Sequence, residues 1–248
     1  IAEEDANALL KQYPLSPLRA HAFGVLTQSA WEQRRYRQAA SNAQKTRAEL
    51  RGAAGVQAPA PESVTRNVQV MLGVLEAEAW FRAGLAAGDR SDFRSAADAY
   101  AAVLRERSAE LGEKHLGGLM YQRVLAEIKS GSNAAAKVLD ELERDPAFDL
   151  ESRWQAEWSL ARARQLQGAG GVKEAYMRVS NLRRDEGSGA AQLKPELRAR
   201  MAWLQTRLSF DGGDPARTIE LGQRLLAQPL EIDAALKTEI VSTAVLLR

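Results

Sequence analysis

An all-α fold is predicted by three features of this 248-residue sequence. Alanine, leucine, arginine, glutamate and glutamine dominate it, all good helix formers, while valine, isoleucine and aromatic residues are sparse. Apolar residues recur at i, i+3, i+4 and i+7, the spacing that lines one face of a helix. Short glycine, aspartate and proline breaks separate these stretches, ending one helix and starting the next.

Residues 2–14, AEEDANALLKQYP, read as the second helix of a hairpin that has no first helix. AHAFGVLTQSAWEQRRYRQAASNAQ (20–44) is a full hairpin, with Phe23 and Ala30 on its first helix and Tyr36, Ala39 and Ala43 on its second. The glycine- and proline-bearing RGAAGVQAPAPESV (51–64) predicts an irregular connection, followed by a long helix from about Ser63 to Ala87. AEAWFRAGLAAGDRSDFRSAADAYAAVL (77–104) is the clearest unit: Trp80, Ala83, Gly84 and Ala87 share one helix face, and Phe93, Ala96, Tyr100 and Val103 another. Gly88 and Asp89 separate them, and Ser91 or Asp92 is the expected cap. RERSAELGEKHLGG (105–118) reads as a surface loop.

MYQRVLAEIKSGSNAAAKVLDELERDP (120–146) then turns at Gly131, with Ala135, Leu139 and Leu142 packing inward and Pro146 stopping the second helix. WQAEWSLARARQLQGAGGVKEAYMRVSNLRRD (154–185) turns between Gly168 and Gly171, and Trp154 and Trp158 are assigned to a seam between repeats. After a second polar loop, EGSGAAQLKP (186–195), the stretch 196–229 turns at Gly212 to Pro215, with proline in the first turn of the new helix. EIDAALKTEIVSTAVLL (231–247) reads as a first helix without its partner.

The stretch 77–104 resembles a tetratricopeptide repeat. In that family a large residue at the fourth position, a small one at the eighth, and small then aromatic residues at the twentieth and twenty-fourth let two helices pack closely. Trp80, Gly84, Ala96 and Tyr100 stand at those positions, while Ser108 stands where the family has proline. The other hairpins match more loosely; Thr218 and Gly222 depart from the pattern. The resemblance implies a right-handed α-α superhelix, a solenoid of antiparallel hairpins. Its parts are a half-repeat at 1–14, repeats at about 18–51, 64–110, 115–146, 151–185 and 195–229, and a terminal helix at 231–247. Together they form one solenoid, expected to be a segment of a longer chain. Tyr13, Pro14, Ser16 and Pro17 form a YP-x-SP junction similar to that of bacterial envelope proteins of this class, which implies a periplasmic or envelope setting.

Chemistry is sparse by comparison. No cysteine is present, which excludes disulfides, thiolate metal sites and cysteine nucleophiles. His21 and His115 are the only histidines, and no paired-histidine metal spacing or G-x-S-x-G nucleophile motif occurs. GAGGV (168–172) lacks the strand context and spacing of a dinucleotide loop and reads as a hairpin turn. The carboxylates of DELERDPAFDLE (140–151) read as a solvated helix end, and the basic stretch 31–51 as a solvated face. A formal charge of +2 points away from nucleic acid. No cofactor or metal is implied, no apolar run reaches the ~18 residues of a membrane span, and no catalysis is expected.

The reading is therefore a scaffold that holds a peptide or protein partner, an acidic one suiting its arginines, in a concave groove lined by the first helices. The resemblance places groove contacts at the second, fifth, ninth and twelfth positions of each repeat. These are His21, Gln28 and Trp31; Glu78 and Phe81; Arg164 and Gln167; and Arg200, Trp203, Arg207 and Phe210. The last four follow i, i+3, i+7 and i+10, alternating guanidinium and aromatic groups suited to clamping carboxylates and anchoring an apolar side chain. Packing of Trp203 against a neighbouring repeat is the alternative at that position. Two other functions stay open: a structural or regulatory module of a larger enzyme or sensor, and a helical-repeat protein that processes peptidoglycan.

Overall fold

The computed structural model describes residues 2–53, 62–106, 111–184, 193–227 and 238. Among these it is all-helical, with eleven helices and no strand. The expected terminal helix 231–247, Thr238 apart, and most of the connections at 51–64 and 186–195 lie outside the described residues. No described helix is long and apolar enough to cross a membrane. The chain divides into two compact units, residues 1–134 and 135–248.

The first unit contains α1 (Ala2–Gln12), α2 (Arg19–Glu32), α3 (Tyr36–Ala53), α4 (Glu62–Ala87), α5 (Arg90–Glu106) and α6 (Gly112–Lys129). Each helix packs on the next one in the chain, and short connections such as 33–35 and 88–89 make such neighbours antiparallel. Small residues set the spacing: Ala30, Ala39, Ala40 and Ala79 are fully buried where α2, α3 and α4 meet, with Trp31 and Trp80 packed against them. In the α4–α5 hairpin, Ala96 and Tyr100 are buried and Trp80 packs beside them. A Cβ on Gly84 would lie 2.9 Å from the Phe93 ring, so only glycine admits this approach of the two helices.

Two local expectations are corrected here. Ser91 and Asp92 do not cap α5: Asp89 accepts from the Ser91 N–H at 2.9 Å, and Asp92 is buried beneath Arg37. The stretch 105–118 is mostly not a loop, since α5 runs to Glu106 and α6 begins at Gly112, leaving 107–110 outside the described residues. Gly117 and Gly118 therefore sit inside a helix, a local cost of roughly 1 kcal/mol each that packing of the helix overrides.

The basic stretch 31–51 is exposed at Arg34, Arg37, Lys45 and Arg51, but Arg47 is buried and several of its guanidiniums bridge to other helices. Arg35 reaches Glu3 of α1 at 2.8 Å, Arg37 reaches Asp92 of α5 at 2.8 Å, and Arg47 reaches Glu76 of α4 at 2.8 Å and Glu106 of α5 at 2.9 Å. These guanidiniums tie α3 to its neighbours because a long, forked side chain spans the gap left by alanine-lined contacts. Bonds from Arg35, Ser29 and Gln33 hold the Glu3 carboxyl down to about 2, against an ordinary 4.5. A carboxyl depressed in the folded state stabilises above its unfolded value and loses that contribution as pH falls through the folded one. Hydrogen exchange of the α1 amides should therefore be slow at pH 5 and accelerate, relative to α4, towards pH 2. Glu3→Gln should remove the dependence; equal relative protection at both pH values would show that Glu3 does not anchor α1.

The second unit contains α7 (Ala135–Leu142), α8 (Leu150–Gln165), α9 (Ala169–Arg184), α10 (Pro195–Asp211) and α11 (Pro215–Leu226). Asp149 and Asp214 cap α8 and α11 by accepting from the N–H groups of Ser152 and Arg217, each at 2.9 Å. The core joins Trp154, Ala161, Val172, Ala175, Val179, Met201, Trp203, Leu204 and Leu208 from α8, α9 and α10. Arg178 of α9 binds buried Glu157 of α8 and, at 2.8 Å, Asp140 of α7. The turn expected over Gly168 to Gly171 is shorter, since α9 begins at Ala169. Gly171 lies within its first turn, where a Cβ would overlap the Arg164 carbonyl at the end of α8.

Candidate functional site

Of the outward residues expected on the first helices, Trp31 and Glu78 come together in the first unit, and the ends of α8 and α10 come together in the second. In the first, Trp31 of α2 and Glu78 of α4 are joined through Arg82, whose guanidinium lies 5.1 Å from the Trp31 ring centroid and bonds Glu78 at 2.8 Å. The Tyr100 hydroxyl also donates to Glu78, at 3.1 Å, and burial together with that carboxylate pushes the Tyr100 phenol above its ordinary value. His21 and Gln28 are exposed on α2, Gln28 bonding Glu32 at 2.7 Å.

In the second unit the ends of α8 and α10 meet, Gln165 donating to Asp211. Asp211 also receives Arg207 at 3.1 Å, and the Arg207 guanidinium lies 5.4 Å from the Phe210 ring centroid. On α8, Arg164 donates to Gln167 at 2.8 Å and lies 3.3 Å from Glu174. Around these groups Leu166 is 89% exposed and Phe210 42%, so the strip presents apolar surface beside the Arg207 guanidinium, while the Arg164 side chain is mostly buried towards Glu174 of α9.

Two residues assigned to this face are not on it. Phe81 is buried in an edge-to-face contact with Phe93, centroids 5.4 Å apart. Trp203 is buried against Trp158, and the Arg162 guanidinium lies 5.4 Å from its ring centroid. Both rings gain more from burial in their hairpin cores than an exposed face returns. Arg200, half-buried, bonds Glu196 within its own helix. The four-residue stripe on α10 is thus broken at Trp203, and its exposed end is Arg207 and Phe210.

The structure adds two clefts between successive second helices. One, of about 620 Å³, lies between α3 and α5 over α4 and includes Arg47, Arg51, Glu76 and Glu106. Its charges balance, Arg47, Arg51 and Arg105 against Glu76, Asp98 and Glu106, with Glu106 taking Arg47 and Arg51 and Glu76 taking Arg47. The other, of about 440 Å³, lies between α9 and α11 over α10 and holds four arginines: Arg183, Arg184, Arg217 and Arg224. Its sequence signal was available: Tyr176, Ser180, Arg183 and Arg184 on α9, and Arg217, Leu221, Arg224 and Leu225 on α11, both follow i, i+4, i+7 and i+8.

Among the described residues, no group of three or more histidine, aspartate or glutamate side chains is placed to hold a metal ion. No protein-family model, curated protein or solved structure matches this chain.

Proposed function

We propose that the chain is a tetratricopeptide-like α-solenoid that acts as a non-catalytic scaffold, binding a peptide or protein partner along the exposed face of its first helices. The observation that carries this reading is the strip at the joined ends of α8 and α10, where Arg207 and Phe210 lie beside the end of α8 and its exposed Leu166. An apolar anchor beside a forked cation recognises an apolar side chain next to a carboxylate. A single groove of this kind gives affinity on the order of micromolar, ~8 kcal/mol. The Trp31, Glu78 and Arg82 patch supplies a comparable surface in the first unit.

Selection of a displayed random peptide library on the purified chain should enrich sequences that pair an acidic residue with a large apolar one. Arg207→Glu with Phe210→Ala should then weaken the selected peptide about tenfold or more, with the helical circular dichroism signal retained. Unchanged affinity in that variant would remove the strip from the binding surface.

A further inference from the structure

The cleft over α10 is built from groups that the first-helix face does not use. Arg183 and Arg184 stand on one wall, Arg217 and Arg224 on the other, and among the described residues no carboxylate lines it. Gln205 of α10 is buried and committed at both ends: its oxygen accepts from Arg183 at 2.5 Å and its nitrogen donates to the Ser180 hydroxyl at 3.0 Å. That hydroxyl, accepting from Gln205, retains its own proton to give. The Tyr176 hydroxyl accepts from Arg217 at 3.4 Å and keeps its proton likewise. Glu220 sits beside the cleft and bonds Arg217 at 2.6 Å and Arg224 at 2.5 Å, its carboxyl held below the ordinary range chiefly by Arg217. Arg184 is exposed and has no ion pair among the described residues. The polar lining is therefore almost wholly donor, with an excess of positive charge, while Ala202, Leu221 and Leu225 supply apolar wall and floor.

We propose that this cleft is a second binding site, taking an acidic segment of a protein partner: neighbouring carboxylates on the arginines and an adjoining apolar side chain against Leu221 and Leu225. Guanidinium forks match carboxylates bidentately, and hydrogen bonds between two charged groups are about twice as strong as neutral ones. The apolar floor favours such a segment over a bare inorganic anion, and a cleft of about 440 Å³ seats a few side chains rather than a nucleic-acid strand. The cleft of the first unit does not offer this, because Glu76, Asp98 and Glu106 in its lining balance its three arginines. This site stands independently of the first-helix face.

The test is fluorescence anisotropy on the full chain, with a labelled, end-capped peptide alternating glutamate and leucine as probe. It should bind at low salt, weaken as salt rises, and lose about tenfold in affinity or more in Arg184→Gln plus Arg224→Gln. Both side chains are exposed, so circular dichroism should be unchanged. Arg207→Glu plus Phe210→Ala should leave this binding intact, which separates the cleft from the first-helix strip. The lysine-for-glutamate peptide should not bind. No binding of the acidic peptide, unchanged affinity in the double glutamine variant, loss only in the Arg207 and Phe210 variant, or equal displacement by inorganic phosphate or single-stranded RNA would each overturn the proposal.

Discussion

Trp203→Ala is expected to destabilise the second unit by about 3–5 kcal/mol, the cost of leaving a cavity where a large ring was packed. The indole is 2% exposed, stacks against Trp158, and joins the core of α8, α9 and α10. Its Nε1–H has no hydrogen-bond partner, so the loss comes from volume and contact rather than from a broken bond. Trp203→Phe should consequently cost much less than the alanine variant, because a ring remains and an unpaired N–H is removed. Native-state hydrogen exchange reads the effect directly: amides of α8 to α10 should exchange about a hundredfold faster or more in the alanine variant, while those of α2 to α5 keep their rates. A change under tenfold would show that Trp203 is not a core residue.

Arg47→Met should cost a similar amount in the first unit, about 3–5 kcal/mol, by a different mechanism. Arg47 and Glu76 are 6% and 7% exposed, and Arg47 holds Glu106 as well. Removing the cation leaves Glu76 buried and unpaired, whereas Glu106 keeps Arg51 and access to water. Adding Glu76→Leu should recover most of the loss, since two apolar groups can replace a buried ion pair at little net cost. Denaturant unfolding followed at the first unit's helices supplies the comparison. If the double variant is as unstable as Arg47→Met alone, the penalty lies in the packing of the arginine stem and not in the orphaned carboxylate.

The two results bear on how much of the molecule was readable from the chain. Helix existence and most boundaries followed from period and punctuation: Gly131, Gly168 and the Gly212 to Asp214 turn fall between helices, Pro215 opens the next one, and the long helix begins at Glu62, one residue before Ser63. Trp80, Gly84, Ala96 and Tyr100 lie in the α4–α5 hairpin because large-against-small complementarity is a local property that spacing records. What spacing does not record is the partner across a gap. Arg47 looks like exposed charge on α3 until α4 and α5 bring Glu76 and Glu106 to it, and Arg37, though exposed, is held by buried Asp92 of α5. Trp203 and Phe210 share one helical stripe, yet the first faces α8 and the second faces solvent, a difference set by where the neighbouring helix ends. The arginine cleft was legible as two matching i, i+4, i+7, i+8 faces, but which two helices face one another is a tertiary fact.

The central claim is that the partner lies along the first helices. Backbone-amide NMR of the chain, titrated with a peptide from the library selection, tests it most directly. Perturbations are expected at Arg164, Gln167, Arg207 and Phe210, or at Gln28, Trp31 and Glu78, with the amides of Val179 and Leu139 inside the cores unmoved. Perturbations confined to the second helices, or absent at saturating peptide, would contradict it.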